Sequence, residues 1–214
     1  MTIAPRENRT AAGVAFMALG VTFFTLIDSS AKWLMMAGLP ALQVVFCRYA
    51  GHFVVSTLLF LPREGIGAFR SQSPVRQFLR SVLLLGSTVL NFIALSYLPI
   101  TVTTTIMFAG PIAVTLLSIP LLGEKVGIRR LLAVCTGFLG VLVVMQPWGA
   151  EVHPAMLLNI GALLCAALYF VLTRMLAGIE SNATAQLWSS GLAALAIGPF
   201  ALGGWLWPGD GLDL

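Results

Sequence analysis

The sequence predicts an all-α protein that crosses a membrane several times. Of its 214 residues, 58% are hydrophobic and 9% are charged, whereas soluble domains carry about 25% charged residues. A folded chain of this size still exposes roughly 30% of its unfolded surface. A soluble fold could therefore not keep this many apolar side chains away from water. The apolar residues form continuous runs long enough for membrane helices, without the alternation typical of membrane barrels. This composition excludes a soluble enzyme, a nucleic-acid partner and a disordered chain, and it makes the lipid bilayer the main partner.

Seven apolar runs predict seven membrane-spanning helices. In chain order they are Ala11–Met36, Ala41–Leu61, Ser81–Leu98, Thr101–Leu122, Leu131–Trp148, Ala155–Met175 and Ala183–Trp207. The first run follows two arginines, as a signal peptide would. It is too long for one and contains two charged residues, so we expect it to be retained. In the fourth helix, Gly110 and Pro111 predict a kink in mid-span, because proline removes a backbone hydrogen bond.

Basic residues cluster on one side of the predicted membrane. If the amino terminus is cytoplasmic, ten of the 12 Lys and Arg residues fall on that side, namely Arg6, Arg9, Arg63, Arg70, Arg76, Arg80, Lys125, Arg129, Arg130 and Arg174. The gaps on the opposite side carry none. Because basic loops stay on the cytoplasmic side, we expect a multi-pass protein of the inner (cytoplasmic) membrane with a cytoplasmic amino terminus.

Two charged residues are expected to meet inside the membrane. Asp28 lies ten residues before Gly38 and Arg48 lies ten residues after it, so a hairpin that turns at Gly38 brings them to similar depth. A charge at the centre of a lipid-facing helix costs about 2.5–3.5 kcal/mol, so both side chains should face the bundle interior. We predict an ion pair that lines a translocation cavity. The alternative is that Arg48 only braces the hairpin.

Other polar side chains extend this candidate site. Lys32, four residues after Asp28, is either a second partner for that carboxylate or a side chain that extends to the outer interface. His52 continues the Arg48 face and either carries a proton or forms a structural hydrogen bond with a neighbouring helix. Four residues of the third, fourth and sixth helices complete the predicted cavity, namely Asn91, Thr104, Phe108 and Tyr169.

A weak internal repeat indicates how the helices are arranged. The segment 31–43 is faintly echoed by the segment 173–186: a helix ends near a cation, a turn containing glycine follows, and the next helix has a glutamine near its start. Five helices separate the starts of the two copies, and because five is odd the second copy inserts upside down. Inverted repeats are typical of secondary transporters, whose substrate site lies near the midplane where the halves meet.

Several short motifs carry a resemblance to a known family. They are Ala31-Lys32-Trp33, Pro40-Ala-Leu-Gln-Val-Val-Phe-Cys-Arg48, Ala94-Leu-Ser-Tyr-Leu-Pro99, Pro111 with Leu116-Leu117, Leu122-Gly-Glu124-Lys125 and Gly137-Phe-Leu-Gly-Val141. In this order and spacing, the chain resembles the EamA family of permeases in the drug/metabolite transporter superfamily, from about residue 13 to residue 207.

The resemblance implies a bundle of ten helices built from two inverted five-helix repeats, of which seven helices are present. It divides the chain into a cytoplasmic amino terminus (1–10), a first repeat (11–148) and a partial second repeat (155–214). It also implies secondary transport of a small-molecule substrate through a central cavity, often driven by a proton or another coupling ion. Glu124 matches an acidic residue that closes the fourth helix in the family, where it is expected to pair with basic residues at the cytoplasmic face.

The resemblance also bears on substrate and length. The first helix and the stretch 44–48 look most like permeases for S-adenosylmethionine, riboflavin or similar bulky polar metabolites, although amino-acid exporters look nearly the same here. The family pattern calls for three more helices. We therefore expect either a fragment of a ten-helix protein or a truncated product for which transport is doubtful.

Competing functions are weaker. A membrane enzyme would need a catalytic set at one face, but the two histidines, His52 and His153, are far apart and no catalytic motif is present. A retinal protein needs a lysine in its last helix, and the seventh run contains none. A non-transporting assembly subunit stays open, as does a homodimer. No cofactor and no metal site are expected.

Overall fold

A computed structural model describes residues 10–123, 126–146, 148 and 152–206. Its α-helices are α1 (Thr10–Met36), α2 (Ala41–Glu64), α3 (Pro74–Tyr97), α4 (Ile100–Met107), α5 (Gly110–Leu122), α6 (Ile128–Met145), α7 (Ala155–Leu176) and α8 (Asn182–Gly203), with a short 3₁₀ helix (Gly65–Phe69) after α2. Every predicted span corresponds to helix, and the described part of the chain contains no β-strand. The prediction of an all-α fold is confirmed.

Five of the helical segments are long and apolar enough to cross a membrane. They are Ala41–Phe69, Pro74–Tyr97, Ile100–Leu122, Ala155–Leu176 and Asn182–Gly203, found among the described residues. The first and fifth predicted spans correspond to α1 and α6, of 27 and 18 residues. The chain is therefore a multi-pass membrane protein.

The third helix begins earlier than predicted. It starts at Pro74 and not at Ser81, and Ser73 precedes it. Proline favours the first helical turn, because its fixed φ suits a helix and its missing N–H would have no partner there anyway. Arg76 and Arg80, which the predicted spans leave in the gap between the second and third helices, therefore lie within α3. Arg76 lies exposed in the first turn, whereas Arg80 is only 5% exposed within the bundle.

The fourth span is broken in the middle, as Gly110 and Pro111 predict. The helix α4 ends at Met107 and α5 begins at Gly110. Between them the N–H of Ala109 donates to the carbonyl of Ile106 at 3.0 Å, which is the tighter spacing of a 3₁₀ turn. Because Pro111 has no N–H, it cannot continue the hydrogen-bond ladder across this point.

The centre of the bundle is formed by α2, α3, α7 and α8. The most extensive interfaces join α3 to α7 and α2 to α8. A hydrophobic cluster of Val45, Tyr49, Phe92, Ala193 and Ile197 lies among α2, α3 and α8. A Cβ atom at Gly191 would lie 3.0 Å from the Phe53 ring, so α2 and α8 approach closely where α8 has no side chain.

Two connections pack together at one end of the bundle. The carboxylate of Glu180 accepts a hydrogen bond from the backbone N–H of Ser73 at 2.8 Å and another from the hydroxyl of Ser71. The indole N–H of Trp188 donates to the carbonyl of Phe69 at 2.9 Å. The α2–α3 and α7–α8 connections therefore lie on the same side, as the predicted order of spans requires.

The opposite end is joined by other contacts. The side-chain amide of Gln43 donates to the carbonyl of Leu206 at 2.9 Å and accepts from its N–H at 3.1 Å. Tyr97 stacks on His153 with ring centroids 5.8 Å apart. The start of α2, the ends of α3 and α8 and the connection before α7 therefore share this end of the bundle.

Candidate functional site

The structure brings Asp28 and Arg48 together across the α1–α2 hairpin. Nη1 of Arg48 lies 4.0 Å from Oδ1 of Asp28, and the two side chains are 25% and 24% exposed. The turn between the helices includes Gly38 at φ +101°, a conformation that glycine adopts without the steric cost of a Cβ atom. Counting residues from this turn predicts that the two charges lie close together, and in the structure they do.

Two aromatic rings lie close to the Arg48 guanidinium, which donates no hydrogen bond to another side chain or carbonyl among the described residues. Its carbon Cζ lies 5.3 Å from the centroid of Phe24 and 5.5 Å from that of Phe92, within the range of cation–π attraction. At 4.0 Å the ion pair exceeds hydrogen-bond distance. Among the described residues, Oδ1 of Asp28 is a buried oxygen without a hydrogen-bond partner. The charges of Arg48 and Asp28 balance each other, but the two side chains form no hydrogen bond with each other.

Arg48 lines a cleft of about 420 Å³ between α1 and α2. Its walls are almost entirely carbon, and its other lining residues include Phe23, Leu26, Leu34, Val44 and Phe92. Pockets of roughly 300–1,000 Å³ with apolar walls and a few polar groups are typical small-molecule sites. The cleft therefore combines an apolar volume with one charged residue, Arg48, in its wall.

Lys32 is directed away from Asp28. Its ammonium donates to the backbone carbonyls of Leu95 and, at 3.2 Å, Leu98. These carbonyls belong to the last turn and C-cap of α3, where free acceptors and the negative end of the helix dipole favour a cation. Lys32 thus joins α1 to the end of α3 and is not a second hydrogen-bonded partner of Asp28, while its extension to the outer interface stays a prediction.

His52 and Asn91 take part in contacts between helices. His52 lies beside Gln186 of α8, and its role as a proton carrier or as a structural hydrogen-bonding group stays a prediction. The side-chain amide of Asn159 in α7 donates to Oδ1 of Asn91 in α3 at 2.8 Å, and both residues are buried. Neither His52 nor Asn91 is among the residues that line the Arg48 cleft.

The other predicted site residues lie elsewhere. Thr104, Phe108 and Pro111 surround the break between α4 and α5, and none of them lines the Arg48 cleft. Phe108 is 41% exposed and Pro111 is exposed. Glu124 lies outside the described residues. The structure does not unite these residues with the Asp28–Arg48 pair, so their place in one cavity stays a prediction.

Tyr169 belongs to a second polar cluster, centred on Arg80. The guanidinium donates through Nη2 to the Tyr169 hydroxyl at 2.9 Å, through Nε to Thr173 at 2.8 Å and through Nη1 to Ser189 at 3.1 Å. A further bond reaches the carbonyl of Ala185 at 3.2 Å. The guanidinium also lies 4.7 Å from the Tyr169 ring centroid. Neutral acceptors on α7 and α8 thus hold this buried cation.

The buried position of Arg80 was not predicted, because this residue falls just before the third predicted span, in a gap expected on the cytoplasmic side. The Ser73-Pro74 pair is a helix-start signal, and it would have placed Arg80 two turns inside α3. Four residues of α7 and α8 that contact Arg80 lie 89 to 109 positions away along the chain, and no local pattern marks them as its partners.

The fold and the site together define a multi-pass helical membrane protein with a charged pair beside an apolar cleft. Comparison with known proteins assigns the family. Residues 11–146 match the EamA-like transporter family, and the chain belongs to this family. The resemblance noted from the motifs is therefore confirmed, and the family is one of transporters and not of enzymes.

Individual relatives point in the same direction. The chain is 30% identical over 188 residues to the riboflavin transporter of Rhizobium johnstonii, covering 87% of this chain and 62% of that protein. It is 31% identical over 193 residues to the riboflavin transporter of Vibrio cholerae, with coverages of 89% and 63%. It is 24% identical over 196 residues to the S-adenosylmethionine uptake transporter of Rickettsia prowazekii, with coverages of 92% and 66%. No solved structure matches the chain.

The chain spans a little over three fifths of the length of the riboflavin transporters that it matches, at 62% and 63%.

Proposed function

We propose that this chain is part of a secondary transporter that moves a small polar metabolite across the cytoplasmic membrane by alternating access. The Asp28–Arg48 pair beside the α1–α2 cleft is its proposed substrate contact. The single observation that carries the proposal is the state of this pair, which is matched in charge at 4.0 Å but unmatched in hydrogen bonds. A pair that only braced two helices would gain most from direct hydrogen bonds, whereas a pair that meets a polar ligand keeps donors free for it.

We further propose that the chain contains one five-helix repeat (11–148) and part of a second, inverted repeat (155–214). Two turns support this division. Gly38 after α1 and Gly178 after α7 both have positive φ, at +101° and +85°, and they lie at opposite ends of the bundle. The distribution of basic residues supports an amino terminus on the cytoplasmic side of the inner membrane.

The substrate is proposed by comparison with the relatives. Because relatives named as riboflavin and S-adenosylmethionine transporters align over most of the chain, we propose a metabolite of that size and polarity. A proton gradient is the proposed driving force.

The test is uptake into bacterial cells that express the chain. Radiolabelled riboflavin and S-adenosylmethionine are supplied in parallel, with and without a protonophore, and the Arg48→Lys variant is compared with Arg63→Lys. Arg48→Lys keeps the charge but removes the planar set of donors, so we expect uptake to fall at least about tenfold at equal expression. Arg63 lies exposed in the last turn of α2, and its variant should transport normally. Normal uptake by Arg48→Lys contradicts the proposed site.

A further inference from the structure

The charge balance of the α1–α2 cleft indicates which ligands it accepts. Arg48 lines the cleft and carries the guanidinium, while Asp28 places a carboxylate oxygen 4.0 Å from its Nη1 atom. Lys32, the next charged residue of α1, donates to the end of α3. The charge of Arg48 in the cleft wall is therefore compensated by Asp28 behind it.

The geometry of the pair leaves the donors of Arg48 as the polar contact for a ligand. Oδ1 of Asp28 is buried, so this oxygen is closed to direct contact. The rings of Phe24 and Phe92 lie close to the guanidinium, with centroids 5.3 and 5.5 Å from Cζ. Its N–H groups lie around the edge of the plane, and a carbonyl oxygen in the cleft would meet them there.

The remaining walls determine the rest of the ligand. They consist mainly of aliphatic and aromatic side chains, with Ser30, Gln43 and Cys47 as the other lining residues, and enclose about 420 Å³. The side-chain amide of Gln43 is already bonded to the backbone of Leu206. Such a surface favours an apolar body of the size of a fused ring system and penalises additional charged groups, which would lose their hydration there.

We infer that this cleft selects uncharged ligands that have an apolar ring system and a carbonyl acceptor. Arg48 binds the carbonyl oxygen. Asp28 acts as a counter-charge that disfavours anions, because a ligand carboxylate would approach a guanidinium whose charge is already compensated and would lie near a second carboxylate. This inference names the ligand class of the transport site and rests on the proposed function for its physiological meaning.

Two probes of the same shape test the inference. The uncharged compound 2-naphthamide has a carbonyl acceptor on a fused ring body, and 2-naphthoate is its anionic counterpart at neutral pH. Binding of each is measured by equilibrium dialysis to the full chain in nanodiscs of neutral lipid, with empty nanodiscs subtracted. We expect the wild-type chain to bind the amide about tenfold more tightly than the carboxylate.

Variants separate the roles of the two residues. Asp28→Asn should raise the affinity for 2-naphthoate about tenfold and so abolish the preference for the amide, because it leaves an uncompensated guanidinium in the cleft. Arg48→Gln should weaken binding of 2-naphthamide. The matched control is Ser29→Ala, an exposed neighbour on α1 outside the cleft, which should leave the ratio of the two affinities unchanged. Asp28→Glu keeps the charge and should also preserve the ratio of the two affinities. This variant tests the role of the negative charge if Asp28→Asn does not fold.

Three results would overturn the inference: amide binding no greater than in empty nanodiscs, equal affinity of the wild-type chain for both probes, or an unchanged ratio in a folded Asp28→Asn protein. Transport is measured separately. If the affinity ratio behaves as expected but the cells show no uptake, the proposed function fails and the ligand selectivity stands. If uptake depends on Arg48 but the ratio is insensitive to Asp28, the reverse holds.

Discussion

The hydrogen bond between Arg80 and Tyr169 permits a sharp test of the second polar cluster. In Tyr169→Phe, the ring can remain under the guanidinium at its present distance of 4.7 Å, while the 2.9 Å hydrogen bond from Nη2 is lost. The substitution thus separates the hydrogen bond from the cation–π contact. Hydrogen bonds to charged groups contribute about 1.5–3 kcal/mol. Because Arg80 is 5% exposed, water is poorly placed to replace the lost acceptor.

We expect Tyr169→Phe to reduce the free energy of unfolding by about 1.5–3 kcal/mol. The measurement is equilibrium unfolding in mixed micelles with increasing SDS, followed by tryptophan fluorescence. The matched control is Tyr97→Phe, since Tyr97 is 65% exposed and its recorded contact is ring stacking on His153; it should change the free energy by less than about 0.5 kcal/mol. Equal effects of the two substitutions would refute the view that Arg80 holds α3 to α7 through this hydroxyl.

Two further predictions concern helix packing. Asn91→Ala should destabilise the protein by about 1–3 kcal/mol, because it leaves the buried amide of Asn159 without its 2.8 Å acceptor. The double variant Asn91→Leu/Asn159→Leu leaves neither amide unpaired. It should recover part of the lost stability in the same SDS titration. Gly191→Ala should cost about 1–3 kcal/mol, because its Cβ would lie 3.0 Å from the Phe53 ring. Gly137 has open space around it, so Gly137→Ala should be neutral or stabilising. A similar unfolding midpoint for Gly191→Ala and Gly137→Ala would contradict the close approach of α2 and α8.

The residues of the candidate site differ in how far they could be predicted. Asp28 and Arg48 belong to neighbouring helices joined by a short turn, so their relative depth follows from counting residues along a regular helix. Lys32 lies on the same hairpin, but its acceptors are backbone carbonyls of Leu95 and Leu98. Backbone carbonyls carry no signature in the sequence, and this contact therefore could not be predicted.

The amino-acid sequence by itself determined that the chain lies in lipid, which segments are helical and where a helix is broken. Apolar runs of membrane length require helices because the backbone has no other partners in lipid, and Gly110-Pro111 interrupts a helix wherever the rest of the chain lies. Tertiary structure alone decided which polar groups meet across helices. Arg80 and Ser189 are 109 positions apart, and Asn91 and Asn159 are 68 apart. Their pairing depends on the rotation and axial offset of packed helices. Those quantities are set by side-chain packing along whole interfaces, and no spacing within one segment encodes them.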